Sequence, residues 1–134
     1  MWGFKVRIRP ADKAFSIYIR TRDGWRCVVC GKQHNEHSRN FGVSHFHGRR
    51  KESVRFHPDN AYSMCNLPCH AEWETEKKEG RKFYNFMVER LGRTGFDRLA
   101  ILANQVGGKD DAMTILRIKE MMKELHPQYK PEDK

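Results

Sequence analysis

Apolar positions recur at helical spacing in several places along the chain and alternate with polar ones only briefly. Residues 1–10 set Phe4, Val6 and Ile8 against Lys5, Arg7 and Arg9, the pattern of a short strand or a basic arm, ended by Pro10. Asp12 is placed to cap a helix running to about Arg22, with Phe15, Tyr18 and Ile19 on its apolar face, and Asp23-Gly24 breaks it. Phe41–Phe46 and Val54–Phe56 read as two short strands joined by the basic loop Gly48-Arg49-Arg50-Lys51, with His57-Pro58-Asp59-Asn60 as a turn. A helix is expected from about Leu67 to Lys78, ended by Gly80. A second follows from Arg81 to Leu91, with Phe83, Phe86, Met87 and Leu91 on one side. Thr94 starts a third segment with Phe96, Leu99, Ala100, Leu102 and Ala103 inward, and Gly107-Gly108 separates it from a last helix. That helix starts at Asp110 or Asp111 and ends near Leu125, with Ile115, Ile118, Met122 and Leu125 at helical spacing. These stripes are core or helix-pairing surface. The segment after His126-Pro127 is a polar tail.

The pattern fits one domain of 134 residues with a modest core, because only 38% of positions are hydrophobic. No run is long and apolar enough to span a membrane, and the N-terminal charges interrupt any secretory core. A cytoplasmic protein with reduced thiols is therefore expected. Net charge is +9, unevenly spread. Residues 1–60 carry 13 Lys/Arg against 5 Asp/Glu, and residues 61–134 carry 13 against 12. A basic excess in one half is the footprint of a polyanion partner; a merely soluble basic surface is the reading that composition leaves open. Arg20, Arg22 and Arg26 read as a solvated face.

Cys27 and Cys30 form a C-x2-C pair followed by Gly31, and Cys65 and Cys69 form a C-x3-C pair. Two close pairs some tens of residues apart match a four-thiolate zinc site, closed to water and hence structural. Disulfides are the rival reading, which a reducing compartment disfavours. The second pair is one residue longer than usual, so His70 is an alternative ligand to Cys69.

The stretch 43–74 holds four of the seven histidines. On a strand, His45 and His47 share a face and Ser44 takes the other. On the following helix, His70 and Glu74 are four apart and share a face. Phosphodiester hydrolysis needs such a set: a neutral imidazole to deprotonate water, a divalent ion on the scissile phosphate, an arginine to neutralise it, and a group to orient the base. His45 is the candidate base, against a satisfied buried histidine. His70 is a candidate ligand of Mg²⁺ or Mn²⁺, and His47 and Glu74 are further ones, against plain surface positions. Asn60 reads as a turn residue that braces the loop next to the base. Arg49 is the candidate phosphate contact, and Arg49, Arg50, Lys51 and Arg55 the candidate DNA contacts. His57 reads as a turn residue, and His34, His37 and His126 as surface.

His45…Asn60…His70 framed by two cysteine pairs resembles the HNH group of ββα-metal nucleases. Within that group the chain is similar to the phage NinG/Rap recombination nucleases. The matching pieces are Ala14-Phe15-Ser16, Ile19-Arg20, Arg22-Asp23-Gly24, the Cys27–Gly31 knuckle, His45-Phe46, Arg49, Arg55-Phe56, Pro58-Asp59-Asn60 and Cys65…Cys69. Tyr84, Leu91-Gly92 and Phe96-Asp97-Arg98-Leu99 resemble that family's C-terminal segment, so the likeness spans roughly residues 11–105. It implies a phage-encoded DNA endonuclease acting in the bacterial cytoplasm on branched intermediates, with His45 as general base and Asn60 as the middle Asn. Many members have Asp before the base, where this chain has Ser44. His47, or His70 with water, would then have to complete the metal site.

The resulting expectation is an α+β fold. A zinc-stapled ββα core (residues 11–79) has one helix before it, a helical extension (80–126) after it, and a frayed tail (127–134). The expected function is metal-dependent cleavage of duplex or branched DNA. A homodimer would suit two coordinated cuts, and no membrane partner is expected. A non-catalytic zinc-finger module that binds DNA would need the cysteines and the basic face but not the His45–His70 pair. A DNA-packaging accessory that cuts only with a partner is a further alternative.

Overall fold

The structure, a computed structural model, describes residues 7–125. Of the N-terminal stretch read as strand or arm, residues 1–6 lie outside that range and residues 7–9 are irregular. His126 and the tail also lie outside it.

Helix α1, Pro10–Arg22, starts two residues before the expected cap. Pro10 can open a helix because its missing N–H is not needed there. Asp12 sits one turn in, and its carboxylate accepts the Arg9 N–H at 2.8 Å. Ala11, Phe15, Tyr18 and Ile19 are buried along one face. Gly24, with φ +70°, turns the chain out of the helix, a backbone region open to glycine at little cost.

Strand β1, Phe41–His45, pairs antiparallel with β2, Ala61–Cys65, so that Phe41 faces Cys65 and His45 faces Ala61. The expected second strand at Val54–Phe56 is corrected. Glu52–Arg55 is a single helical turn, α2, and a 3-10 turn at Pro58–Asn60 leads into β2. All five residues of β2 are buried, so the alternation that marks a half-exposed strand is absent from its sequence.

The helix expected from Leu67 to Lys78 is also much shorter. Asn66–His70 forms a wide π-type turn, and regular helix follows only over α3, Ala71–Trp73. Leu67 keeps extended backbone (φ −130°, ψ 134°), the conformation that a following proline favours. Helix α4, Lys82–Ala103, covers both the second and third expected segments. It breaks at Gly92, where φ is +74°, between the two apolar stripes read from the sequence. Helix α5 runs over Asp111–Leu125. The Gly107 break before it is also a close approach, because a Cβ there would lie 2.6 Å from the Ser53 nitrogen of α2.

The small sheet divides two cores. Tyr62 and Met64 of β2 pack with Phe46, Phe83, Met87, Phe96 and the cysteines. Ala61 packs with Phe15, Tyr18, Ile19, Ile118 and Met122, which joins α1 to α5. Charge reinforces that junction: Arg9 forks onto Glu52 of α2 at 2.6 and 2.9 Å and reaches Asp111 of α5 at 2.6 Å. No helix among the described residues is long and apolar enough to cross a membrane.

Candidate metal centre and cleft

The Cys27 knuckle turns back at Gly31, whose φ is +81°. The loop brings Cys27 and Cys30 against Cys65 at the end of β2 and Cys69 in the π-type turn. All four sulfurs lie within 4.8 Å of one another, with Cys30 and Cys65 3.7 Å apart. Four thiolates around one tetrahedral zinc, each at about 2.3 Å, would lie about 3.8 Å apart, so the donor set fits the ion. Only Cys30 is exposed. The expected zinc ligands are thus together, and Cys69 rather than His70 is the fourth member.

Electrostatics suit a cation at this centre. Burial pushes the Cys27 thiol up, but the backbone N–H groups of Cys30, Cys65 and Val29 outweigh it and bring the thiol down to about 7. The Val29 and Cys30 N–H groups lie 3.3 and 3.4 Å from its sulfur. Burial, followed by the neighbouring Cys30 and Cys27, pushes Cys65 up to about 11, and Cys69 is pushed up in the same way. A dication would remove that repulsion and let all four ionise.

His34, expected on the surface, is only 7% exposed. Its ring stacks on Phe41 with centroids 4.3 Å apart, and its Nε2 lies 3.3 Å from the Cys65 sulfur. Since a thiolate can only accept, the ring would donate Nε2–H to it. The one signal in the sequence was the place of His34 four residues after Cys30. His37, by contrast, is exposed, with 85% of its side chain open to solvent.

A cleft of about 680 Å³ opens on the other side of the π-type turn. His45, Arg49, His70 and Glu74 all line it, so four of the residues singled out from the sequence come together there. Lys13, Arg20 and Lys77 line it too, and with Asp12 and Glu74 as its acidic members the wall is basic on balance.

His45 is anchored by one hydrogen bond, from Nε2 to the Arg55 carbonyl oxygen at 3.0 Å. A carbonyl only accepts, so Nε2 carries the hydrogen and Nδ1 keeps its lone pair. Burial, with Arg49 adding to it, holds the ring well below its ordinary range, at about 4, and it is neutral at neutral pH. The ring leans on Phe15 with centroids 5.8 Å apart.

His70 bonds the Ser44 hydroxyl through Nδ1 and turns Nε2 toward Glu74, whose Oε1 is 3.9 Å away. Glu74 is shared with Lys77 at 3.1 Å. Ser44 is buried and orients His70, a partnership not foreseen from the sequence. The turn carrying His70 is latched by Asn40, which donates to the Leu67 carbonyl at 2.7 Å and accepts the Leu67 N–H at 2.8 Å.

Asn60 is completely buried and touches no open surface. Its Oδ1 accepts the His47 N–H at 2.9 Å, and its Nδ2 donates to the carbonyls of His47 and Val54 at 2.9 and 3.2 Å. It therefore ties the two ends of the loop beside His45, as a bracing residue. His57 accepts the Asp59 N–H at 3.1 Å and caps the 3-10 turn.

Other expected contacts fall elsewhere. His47 is not among the residues lining the cleft, and its Nε2 is buried without a hydrogen-bond partner. Its ring sits edge-on to Phe46, 5.0 Å away, because the chain leaves strand geometry after His45. Arg55, expected to touch DNA, is 4% exposed and bound to Asp12, so its guanidinium is not open to phosphate. Arg50 and Lys51 are exposed. Arg22, read as solvated, turns inward to the carbonyls of Pro58 and Ala61 at 2.6 and 2.8 Å.

These features define a mixed α+β protein whose four clustered cysteines can hold a metal ion beside a basic, histidine-bearing cleft. No protein-family model matches the chain, and no curated protein or solved structure matches it.

Proposed function

We propose that the protein is a DNA endonuclease of the ββα-metal (HNH) kind, with zinc at the four cysteines and a second divalent ion, Mg²⁺ or Mn²⁺, in the cleft. One observation carries the reading. His45 is a neutral imidazole that has its Nε2–H engaged by a carbonyl and its Nδ1 lone pair unspent, in a cleft shared with His70, Glu74 and four cationic side chains. Its lone pair can accept a proton from water, and the burial that lowers the ring to about 4 makes it a weaker base than an ordinary imidazole.

In this reading His45 Nδ1 accepts the proton of the attacking water. Arg49 contacts the phosphate, and Lys13, Arg20 and Lys77 draw the backbone in. His70 Nε2 and Glu74 would hold the divalent ion and leave its other positions to water and phosphate oxygens. Such an ion would polarise the scissile phosphate and stabilise the leaving oxygen. Asn60 serves by bracing the loop. The resemblance to NinG/Rap nucleases points to branched recombination intermediates as substrate.

The test is cleavage of linear duplex, nicked, single-stranded and four-way-junction DNA, with EDTA, Mg²⁺ or Mn²⁺. Cleavage that needs the added ion is expected. His45→Ala should bind DNA as tightly as the parent and cut about 10²–10⁴-fold more slowly. Cutting by that variant at the parent's rate would remove His45 from the role of base.

A second reading has its own support. Among the described residues, the cysteines are the only group of three or more His, Cys, Asp or Glu side chains placed to share an ion. A zinc-stapled DNA-binding module without catalysis needs no more than that. It is distinguished by salt-sensitive binding with no cutting of any of the four substrates.

A further inference from the structure

The His45 ring has a single hydrogen bond among the described residues, and its acceptor belongs to a segment with little stiffness of its own. The Arg55 carbonyl ends α2, a helical turn of four residues, too short to be held by its internal bonds alone. Its earlier residues are tied by the Arg9–Glu52 fork, by Ser53 to the Leu102 carbonyl and by Asn60 to the Val54 carbonyl, and its last residue is tied by its own side chain. The Arg55 guanidinium grips both oxygens of Asp12 on α1, at 3.0 and 2.5 Å. It also donates to the Arg7 and Arg49 carbonyls at 2.7 and 3.3 Å.

Both partners are almost wholly buried, Arg55 at 4% and Asp12 at 8% exposure. A buried ion pair is an expensive way to gain stability, since desolvation offsets most of its attraction and apolar side chains of similar volume often serve as well. Apolar side chains cannot supply the planar fork, which fixes a direction in space and three backbone segments at once. All three segments bear on the cleft: Ile8, Asp12 and Lys13 line it, residue 49 supplies a cationic side chain in its wall, and residue 55 the carbonyl that His45 uses.

We propose that the Asp12–Arg55 pair is a positioning device for His45, holding the Arg55 carbonyl where it fixes the ring in its Nε2–H form. The proposal rests on the nuclease reading of the cleft for its effect on rate, and on geometry alone for its effect on the ring. Arg55 does not line the cleft, and Asp12, which does, has both carboxylate oxygens engaged by the Arg55 guanidinium and the Arg9 N–H, so the two act as positioning residues.

The test uses the full chain with zinc bound, as parent, Arg55→Lys and Asp12→Asn. Lysine keeps the charge but loses the fork, and asparagine keeps the shape but loses the charge. Long-range ¹⁵N–¹H spectra of the imidazoles should show His45 as one Nε2–H tautomer in the parent and as a mixture in both variants. On the DNA that the parent cuts, kcat should fall about ten- to a hundredfold with KM within about twofold, as for a misplaced reacting group. A single Nε2–H tautomer retained in both variants would overturn the proposal, as would an Nδ1–H ring in the parent. Failure of both variants to fold would also overturn it, by assigning the pair to stability. If the parent cuts no DNA, the nuclease reading fails and the tautomers alone decide the positioning claim.

Discussion

The cysteine centre and the cleft are neighbours built in opposite ways. At the first, four identical ligands converge within a few ångströms, three of them buried, and backbone N–H groups already favour the charged form of Cys27. At the second, His70 and Glu74 stand 3.9 Å apart, with 38% of the His70 and 52% of the Glu74 side chain exposed, and room is left for something larger. The first centre has the shape to close around an ion. The second is shaped by groups outside it: Ser44 on His70, Arg55 on His45, Asn60 on the loop. A closed set suits structure and an open one suits chemistry. The two adjoin at Cys69 and His70, one peptide apart, the first in the cysteine cluster and the second in the wall of the cleft.

That junction predicts an asymmetry. Cys65→Ala should abolish stoichiometric zinc and unfold the core, a loss of several kcal/mol from a domain that typically has about 5–15. The His45 and His70 imidazole signals should collapse with it. His70→Ala, at a partly exposed site, should keep its zinc and cost under about 1 kcal/mol. Zinc content and urea midpoints check both, and equal losses would break the proposed hierarchy.

Asn60→Ala comes next. It strands the His47 N–H and the carbonyls of His47 and Val54 in a buried place, at about 3–4 kcal/mol in chemical denaturation. Zinc should remain bound, since none of the three bonds touches the cysteines.

Acid should act on both centres, on the first by protonating the thiolates that would hold the ion and on the second through His45. His45 has its folded pKa lowered from 6.5 to about 4, so its contribution is complete above pH 6.5 and is lost as pH falls toward 4. The loss amounts to at most about 3 kcal/mol. His34 and His47, also lowered mainly by burial, act in the same direction. Urea unfolding at pH 7.5 and pH 5 should show a drop that is smaller in His45→Ala.

At His34 the effect is expected on zinc affinity and not on the fold. His34→Ala removes one hydrogen bond to Cys65 and should weaken zinc about 10–100-fold in competition with a chromophoric chelator, with the fold retained at saturating zinc.

Much of this arrangement was legible in the sequence, where spacing carried it. The cysteine pairs, α1, α5 and the break at Gly92 rest on local periodicity or ligand spacing, and they appear nearly where expected. β2 was missed because a strand buried on every side chain has no alternating pattern, while Val54-Arg55-Phe56 alternates for three residues and is a helical turn. The contacts of Ser44 and Asp12 could not be read at all, and that of His34 only as a place near Cys30. Each depends on a partner at least 26 residues away, so its meaning exists only after the chain is folded.

The wide turn at Asn66–His70 sets a phase. The Ala71 N–H reaches back five residues to the Asn66 carbonyl, so the turn takes up one residue more than ordinary helix would. C-x3-C likewise holds one residue more than C-x2-C. Deletion of one residue there would leave two thiols still able to share an ion, yet each residue of helix carries about 100° of rotation. Everything after Cys69 would turn by roughly that angle, and His70 and Glu74 would leave the cleft together. The length of this short connection is therefore a timing element: it keeps the two centres in step, and the spare residue cannot be trimmed from one without detuning the other.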